Sequence, residues 1–309
     1  MPSPDTRPAT GYLHPAYAHS FAEFGNPRHL PRSGGWIIER EIPNAGAWDA
    51  MGCYPLFACR DWTGLRADLD DLASSLVSIT VVTDPFGNDD QSRLSNCFPD
   101  LVAPFKQHFT VDLTRALSTA VSPSHRYKAR RALRDITVHV CEEPRNWATI
   151  WNNLYGTVVQ RHDIRGLPRF SNSAFARQLG VPGLVMFRAV YRNEVVAMAL
   201  WYAQGEVAYY HLGASNDLGY SLRASYGVFW RSLEFFQAAG LTAVHLGAAA
   251  GRHDTANGLS RFKRGWATDQ RTAYLCGRIF DHTRYEALTA ATDRVDSIYF
   301  PAYRDGEFS

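Results

Sequence analysis

Residues 184–212 read LVMFRAVYRNEVVAMALWYAQGEVAYYHL. Three runs rich in apolar, β-branched and aromatic residues, Leu184–Tyr191, Glu194–Tyr202 and Glu206–Leu212, are separated only by Arg192-Asn193 and Ala203-Gln204-Gly205. Connections this short, carrying Asn or Gly, join antiparallel neighbours, so the stretch reads as three consecutive strands of one sheet. Downstream the period changes. A helix fits Ala224–Ala239, closed by Gly240, and is followed by a short strand, Thr242–Leu246, and by GAAAG at 247–251. Trp266–Ile279 reads as one or two strands and Thr283–Ala291 as a helix. Upstream lie a strand at Ile136–Cys141, an amphipathic helix at Trp147–Gln160 and a short helix at Asn172–Leu179, stopped by Gly180 and Pro182. The order β-α-α-β-β-β-α-β-loop-β over 136–280 is an α/β layer, mostly antiparallel on one side.

The first half is less regular. Residues 1–35, rich in Pro, His and Gly, are expected to be an irregular lead-in. Strands are expected at Trp36–Ile42, Leu76–Thr83 and Lys106–Leu113, and a helix at Thr63–Ser75, where Leu65, Leu69 and Leu72 recur at helical spacing. Residues 122–134, SPSHRYKARRALR, open on a Ser-Pro-Ser helix start and carry Arg126, Lys128, Arg130, Arg131 and Arg134 before the first acid, Asp135. This basic helix, 122–135, divides the chain into a lobe at 36–121 and a lobe at 136–300, with a tail at 301–309.

Composition narrows the function classes. The chain has 309 residues, 46% hydrophobic, with a formal charge of +2, too small to announce a nucleic-acid partner without a local cluster. Cysteines 53, 59, 97, 141 and 276 show no CxxC pair, and their odd number argues against a disulfide framework. No signal-peptide pattern and no run of 18 apolar residues occurs, so the expectation is a cytoplasmic protein without a membrane span. His253-Asp254 and Arg161-His162-Asp163 lack a further ligand at metal-site spacing, and no G-x-S-x-G elbow is present, so no metal is expected.

Three segments carry a resemblance. They are HFTVDLT at 108–114 with the basic helix, YYHLGAS at 209–215 ahead of a helix, and HLGA at 245–248 with GLSRFKRGW at 258–266. Together they resemble the Fem-like branch of the acetyltransferase (GNAT) superfamily, which includes peptidoglycan-bridge aminoacyltransferases and other aminoacyl-tRNA-dependent enzymes. The resemblance implies a tandem acetyltransferase-like fold, α/β with mixed, mostly antiparallel sheets flanked by helices, its first lobe degenerate and its second catalytic. It implies amide formation by transfer of an aminoacyl group from aminoacyl-tRNA to an amine on a small molecule, a peptide or a wall precursor. The usual Gln/Arg-x-x-Gly-x-Gly/Ala run of acetyl-CoA enzymes is replaced by NDLGYSLRASYG at 216–227. That favours tRNA over acyl-CoA as donor, with acyl-CoA the alternative. A catalytically silent module that binds an acyl carrier or RNA is a further alternative.

Amide formation requires a neutral amine, a destination for its proton and stabilisation of an oxyanion. The Phe262-Lys263 pair matches the family's Phe-Lys motif, and the resemblance gives Lys263 the cationic role. The start of the 224–239 helix offers unpaired N–H groups, with Phe262, Arg223, Ser225 and Gly227 as donor-binding candidates. His211 and His245 are candidate proton acceptors, since an unperturbed imidazole titrates near neutral pH. Structural histidines are the competing reading for both. Tyr209 and Tyr210 point to opposite faces, so one should line the cleft and the other pack inside. Asp163 and Arg165 are candidates for the acceptor pocket. The five basic residues of the connecting helix are candidate contacts for a tRNA acceptor arm, a solvated helix face being the alternative.

Overall fold

The computed structural model describes residues 8–87, 90–248 and 258–307. Its first half runs α1 (Pro15–His19), β1 (Asn26–Leu30), β2 (Gly35–Ile42), β3 (Ala47–Gly52), α2 (Leu65–Leu72), β4 (Ser78–Val82), α3 (Gln91–Cys97), β5 (Leu101–Asp112) and α4 (Leu117–Ala120). The basic helix is α5 (Pro123–Asp135), capped by Ser122, whose hydroxyl accepts from the His125 N–H. Then come β6 (Thr137–Cys141), α6 (Ala148–His162), α7 (Asn172–Gln178), β7 (Leu184–Tyr191), β8 (Glu194–Gln204), β9 (Val207–Ser215), α8 (Asp217–Ser221) and α9 (Ala224–Ala238). The chain closes with β10 (Ala243–Gly247), α10 (Gly258–Arg264), β11 (Asp269–Ile279) and α11 (His282–Ala291).

The strands form one 11-stranded sheet in the order β1-β2-β3-β4-β11-β5-β10-β9-β8-β7-β6. The β7-β8-β9 meander is antiparallel, as the short connections require. Strand β8 is buried along nearly its whole length, which is why VVAMALWY shows no polar alternation. Strand β11, which lies in the sequence half assigned to the second lobe, is seated between β4 and β5. It pairs antiparallel with both, over nine residues with β5, so the spatial halves do not follow the chain order. Pro104, which cannot donate to a ladder, sits where the β5–β11 register shifts, with Phe105 as the extra residue.

The lead-in is not irregular throughout. Within 8–35 the chain forms α1 and β1, and Tyr12, Tyr17 and Phe21 are fully or almost fully buried. These rings join Trp151, Phe175 and Tyr202 in the core on one face of the second half. So short a segment carries little periodicity, but the apolar area of three large aromatic side chains is enough to tie it down. On the other face, Phe229 and Phe236 of α9 join Trp201, Trp266 and the α5 residues Ala129 and Ala132 in a second core. In the first half, Leu65, Leu69 and Leu72 of α2 pack on Ile79, Val81 and Phe98. Among the described residues no helix is long and apolar enough to cross a membrane.

Candidate active site

Strands β9 and β10 run parallel, but only three residue pairs hold: Ala243 with Val207, Val244 with Ala208 and His245 with Tyr209. Beyond them β9 continues along β8 to Ser215, whereas β10 ends at Gly247. A one-residue bulge in β9 at His211, between the pairs Leu200–Leu212 and Trp201–Tyr210, accentuates the divergence. The two strands therefore part after His245 and Tyr209, and among the described residues no strand pairs with the facing edge of β9 beyond that point.

Lys263 stands at this parting. Helix α10 turns Phe262 into the core against Tyr226, Phe229 and Trp266 and turns Lys263 the other way. The Lys263 Nζ donates to the Ala248 carbonyl at 2.6 Å and lies 5.8 Å from the centroid of the Tyr210 ring. Gly247 makes this possible twice over: its φ of +74° suits only glycine comfortably, and a Cβ there would lie 3.2 Å from Nζ. Lys263 is only 6% exposed, and burial, with the charge of Lys106 adding to it, pushes its pKa down to about 7. Helix α5 steadies α10 from behind, since the His125 ring nitrogen Nε2 meets the Phe262 carbonyl at 2.9 Å.

Next to this lysine, one sheet face carries a row of polar side chains. Arg271 of β11 pairs with His108 of β5, Thr110 of β5 pairs with His245 of β10, and His245 pairs with Tyr209 of β9. His108 Nδ1 and His245 Nε2 are 2.7 Å apart. Burial first, then the Lys263 and Lys106 charges, push His108 down to about 3; burial, His108 and Lys263 depress His245 strongly. Both imidazoles are thus neutral at pH 7. The Tyr209 hydroxyl donates to Asp84 Oδ2 at 2.7 Å, and the Phe86 N–H donates to Asp84 Oδ1. Burial raises Asp84 to about 6, against the pull of those two hydrogen bonds and of Arg271. Among the described residues no three His, Cys, Asp or Glu side chains converge as metal ligands.

The other sequence candidates separate from this group. His211 has both ring nitrogens engaged, Nδ1 with the Tyr12 hydroxyl at 3.4 Å and Nε2 with Gln178 Oε1 at 3.2 Å, inside a ring of aromatic side chains. Tyr209 faces Asp84 and His245, whereas Tyr210 packs on Trp201 and Phe229 and lays its hydroxyl over Gly213. Arg223 precedes α9 with a left-handed φ of 57° and makes no side-chain cap, and Ser225 Oγ meets Ser215 Oγ at 3.2 Å. Gly227 is turned towards α5, where a Cβ would press on Ile136 and Leu133. Asp163 and Arg165 pair with each other on an exposed loop. On α5, Arg130, Arg131 and Arg134 line the solvent face beside the exposed Tyr127. Arg126 and Lys128 are half-buried, with the Lys128 ammonium 5.1 Å over the Tyr226 ring. His253-Asp254 and most of the GAAAG run lie outside the described residues.

Sequence reasoning missed His108, Lys106 and Asp84. Each becomes a site residue only through its neighbour across the sheet or over it. The signal available was the HFTVDLT stretch, which placed His108 at the head of a strand without saying which strand would lie beside it.

Comparison with known proteins bears on the fold. Residues 123–264 match the family model described as an acetyltransferase (GNAT) domain. No curated protein sequence matches the chain. Among solved structures, FemX is similar with a TM-score of 0.67 at 14% identity, covering 91% of this chain and 95% of its own. The C-terminal domain of a protein assigned as a lysylphosphatidylglycerol synthetase from Agrobacterium fabrum gives a TM-score of 0.62 at 15% identity, covering 89% and 91%. L-PGS from Bacillus licheniformis gives 0.56 at 16%, covering 88% and 94%. The chain therefore has the fold of FemX, a large mixed sheet flanked by helices, and the match to an acetyltransferase (GNAT) domain covers its residues 123–264.

Proposed function

We propose that this protein is an acyltransferase that forms an amide bond, taking an aminoacyl group from aminoacyl-tRNA and placing it on an amine acceptor. The observation that carries the reading is the parting of β9 from β10 beside a buried lysine. Strand edges without partners pair readily with an extended, amide-bearing chain, which is what a donor or peptide-like acceptor offers. The Lys263 ammonium has two N–H donors beyond the one given to Ala248. A carbonyl that becomes an oxyanion beside it restores the charge that burial disfavours, so the interaction strengthens towards the transition state. Phe262 keeps that lysine aimed by anchoring α10. The N-terminal end of α9, with Arg223 and Ser225, is the candidate donor-binding end.

Transfer RNA is favoured over other donors by α5. Its inner face holds α10 through His125, and its outer face presents Arg130, Arg131 and Arg134, so a phosphate backbone lying on it is one helix away from Lys263. The relative named for lysylphosphatidylglycerol synthesis supports aminoacyl transfer, because its product carries a lysyl group. An acyl-CoA donor is the second reading, favoured by the match of residues 123–264 to an acetyltransferase domain.

Mass spectrometry of products after incubation with a charged tRNA pool, an acyl-CoA panel and a set of primary amines and short peptides tests this. The expected result is aminoacylated product that disappears when the tRNA is first digested with ribonuclease. Product surviving that digestion removes the tRNA reading. Saturable binding with no product from any donor favours a silent binding module. Lys263→Ala should lower turnover about 10²–10³-fold, the cost of losing one oxyanion donor. Full turnover in that variant removes Lys263 from the chemistry.

A further inference from the structure

His245 is the last residue of β10 paired to β9, so it marks where the two strands part. Its ring is 2% exposed and that of His108 is 5% exposed. They share the 2.7 Å contact between His245 Nε2 and His108 Nδ1, lying nearly parallel with ring centroids 4.9 Å apart. The other nitrogen of His245, Nδ1, is buried without a hydrogen-bond partner among the described residues. Buried polar atoms nearly always find one, so an orphan beside a candidate active site points to a group that arrives with substrate. Phe86 and Tyr209 pack against the His245 ring, so its orientation is fixed by packing before any substrate binds.

The tautomer follows from the contact. One N–H must lie between the two rings, and an orphaned N–H is rarer in proteins than an orphaned acceptor. His245 therefore carries its proton on Nε2 and donates it to His108, leaving Nδ1 as a bare lone pair. His108 then carries its own proton on Nε2. Neither ring keeps a positive charge easily, because both are buried and both feel Lys263. A pair like this is poorly suited to hold a proton but well suited to pass one on.

We propose that His108 and His245 work as one unit, an imidazole relay that carries the acceptor amine's proton out of the cleft and returns it to the leaving group. In the first half the amine N–H breaks and an N–H forms on His245 Nδ1. The His245 Nε2 proton moves to His108 Nδ1, and the His108 Nε2 proton passes to water. In the second half water reprotonates His108 Nε2, His108 Nδ1 returns its proton to His245 Nε2, and His245 Nδ1 protonates the oxygen or sulfur that leaves the carbonyl. Both rings end as they began, with no charge stored. The relay rests on the acyl-transfer reading, and it gives His108 a role that the sequence motifs do not.

Two measurements on the full chain test it. Nitrogen NMR of ¹⁵N-histidine-labelled protein should show two neutral, Nε2-protonated imidazoles from pH 5 to 8, assigned by their loss in His108→Gln and His245→Gln. A charged pair at pH 7, or an Nδ1-protonated His245, overturns the relay whatever the activity. With whichever donor yields product, each single variant should lower kcat about 10²-fold with little change in donor KM, and the double variant should be no worse than either single. Wild-type rates in either single variant, or losses that multiply in the double, overturn it while leaving the Lys263 result standing. Absence of product from every donor instead defeats the acyl-transfer reading, and the relay with it.

Discussion

A lysine that is buried and held near pKa 7 changes the stability of the protein with pH, and the sign can be worked out. Unfolded, Lys263 stays protonated up to about pH 10.4. Folded, it releases its proton near 7. Between those values the unfolded chain binds a proton that the folded chain lacks, so stability rises with pH across this window. Lys263→Met keeps the bulk and removes the penalty. It should therefore melt above wild type by about 5 °C or more at pH 6.5. That advantage should shrink steadily towards pH 10 in thermal scans. A gap independent of pH would show that Lys263 is not titrating in the folded state. Of the two histidines read as proton acceptors from sequence, only His245 has a ring nitrogen without a partner among the described residues. Both sit in apolar strands next to similar residues, so nothing local separates them. The difference comes from Tyr12 and Gln178, which reach His211 from distant parts of the chain.

At the scale of elements, α5 and α9 divide the work of the helical face. The outward residues of α5 make no ion pair with the described residues, and Arg130, Arg131 and Arg134 lie at i, i+1 and i+4 on its solvent side. Replacing all three by Glu should raise the KM for charged tRNA at least tenfold and lower the salt slope of binding by about 2, with melting temperature within a few degrees of wild type. Unchanged KM and salt slope would make this a plain solvated face. Gly227 of α9 faces Leu133 of α5 and Ile136 just beyond it, which a Cβ there would meet at 3.3 and 3.0 Å. Gly227→Val should cost roughly 1–3 kcal/mol in urea unfolding without altering donor KM; the reverse pattern would make it a donor contact. The long elements were legible because their periodicity is strong: the three strands read within 184–212 and the helix read at 224–239 appear as Leu184–Tyr191, Glu194–Gln204, Val207–Ser215 and Ala224–Ala238. Short or polar elements were not. Strand β1, NPRHL, is an edge strand containing proline, and α8 and α10 are five and seven residues long.

At the scale of the whole molecule, the halves are joined by a continuous sheet and closed by the end of the chain. Arg304, itself buried, donates to both carboxylate oxygens of the buried Asp49 on β3, at 2.8 and 2.9 Å, and to the Glu41 carbonyl on β2. The Tyr303 hydroxyl also reaches Asp49. Arg304→Met should leave the Asp49 charge buried with fewer partners and cost about 3–5 kcal/mol, read as a fall of roughly 10 °C in melting temperature. Turnover per folded molecule should stay at the wild-type value, because the latch lies in the first half, away from β9 and β10. A normal melt would show that the tail contributes little to closing the fold.

The division between sequence and tertiary structure is sharp at the candidate site. Local pattern alone gave the meander and the basic connecting helix, because side-chain periodicity and turn residues act over a few positions, while the family resemblance singled out the Phe-Lys pair. It did not give the lead-in aromatics as core, the insertion of β11 between β4 and β5, or the meeting of His108 with His245, which are 137 residues apart. Those depend on which strand lies beside which. That choice is made by the burial of whole faces and by backbone groups that must find partners, and neither leaves a mark on any one stretch of chain.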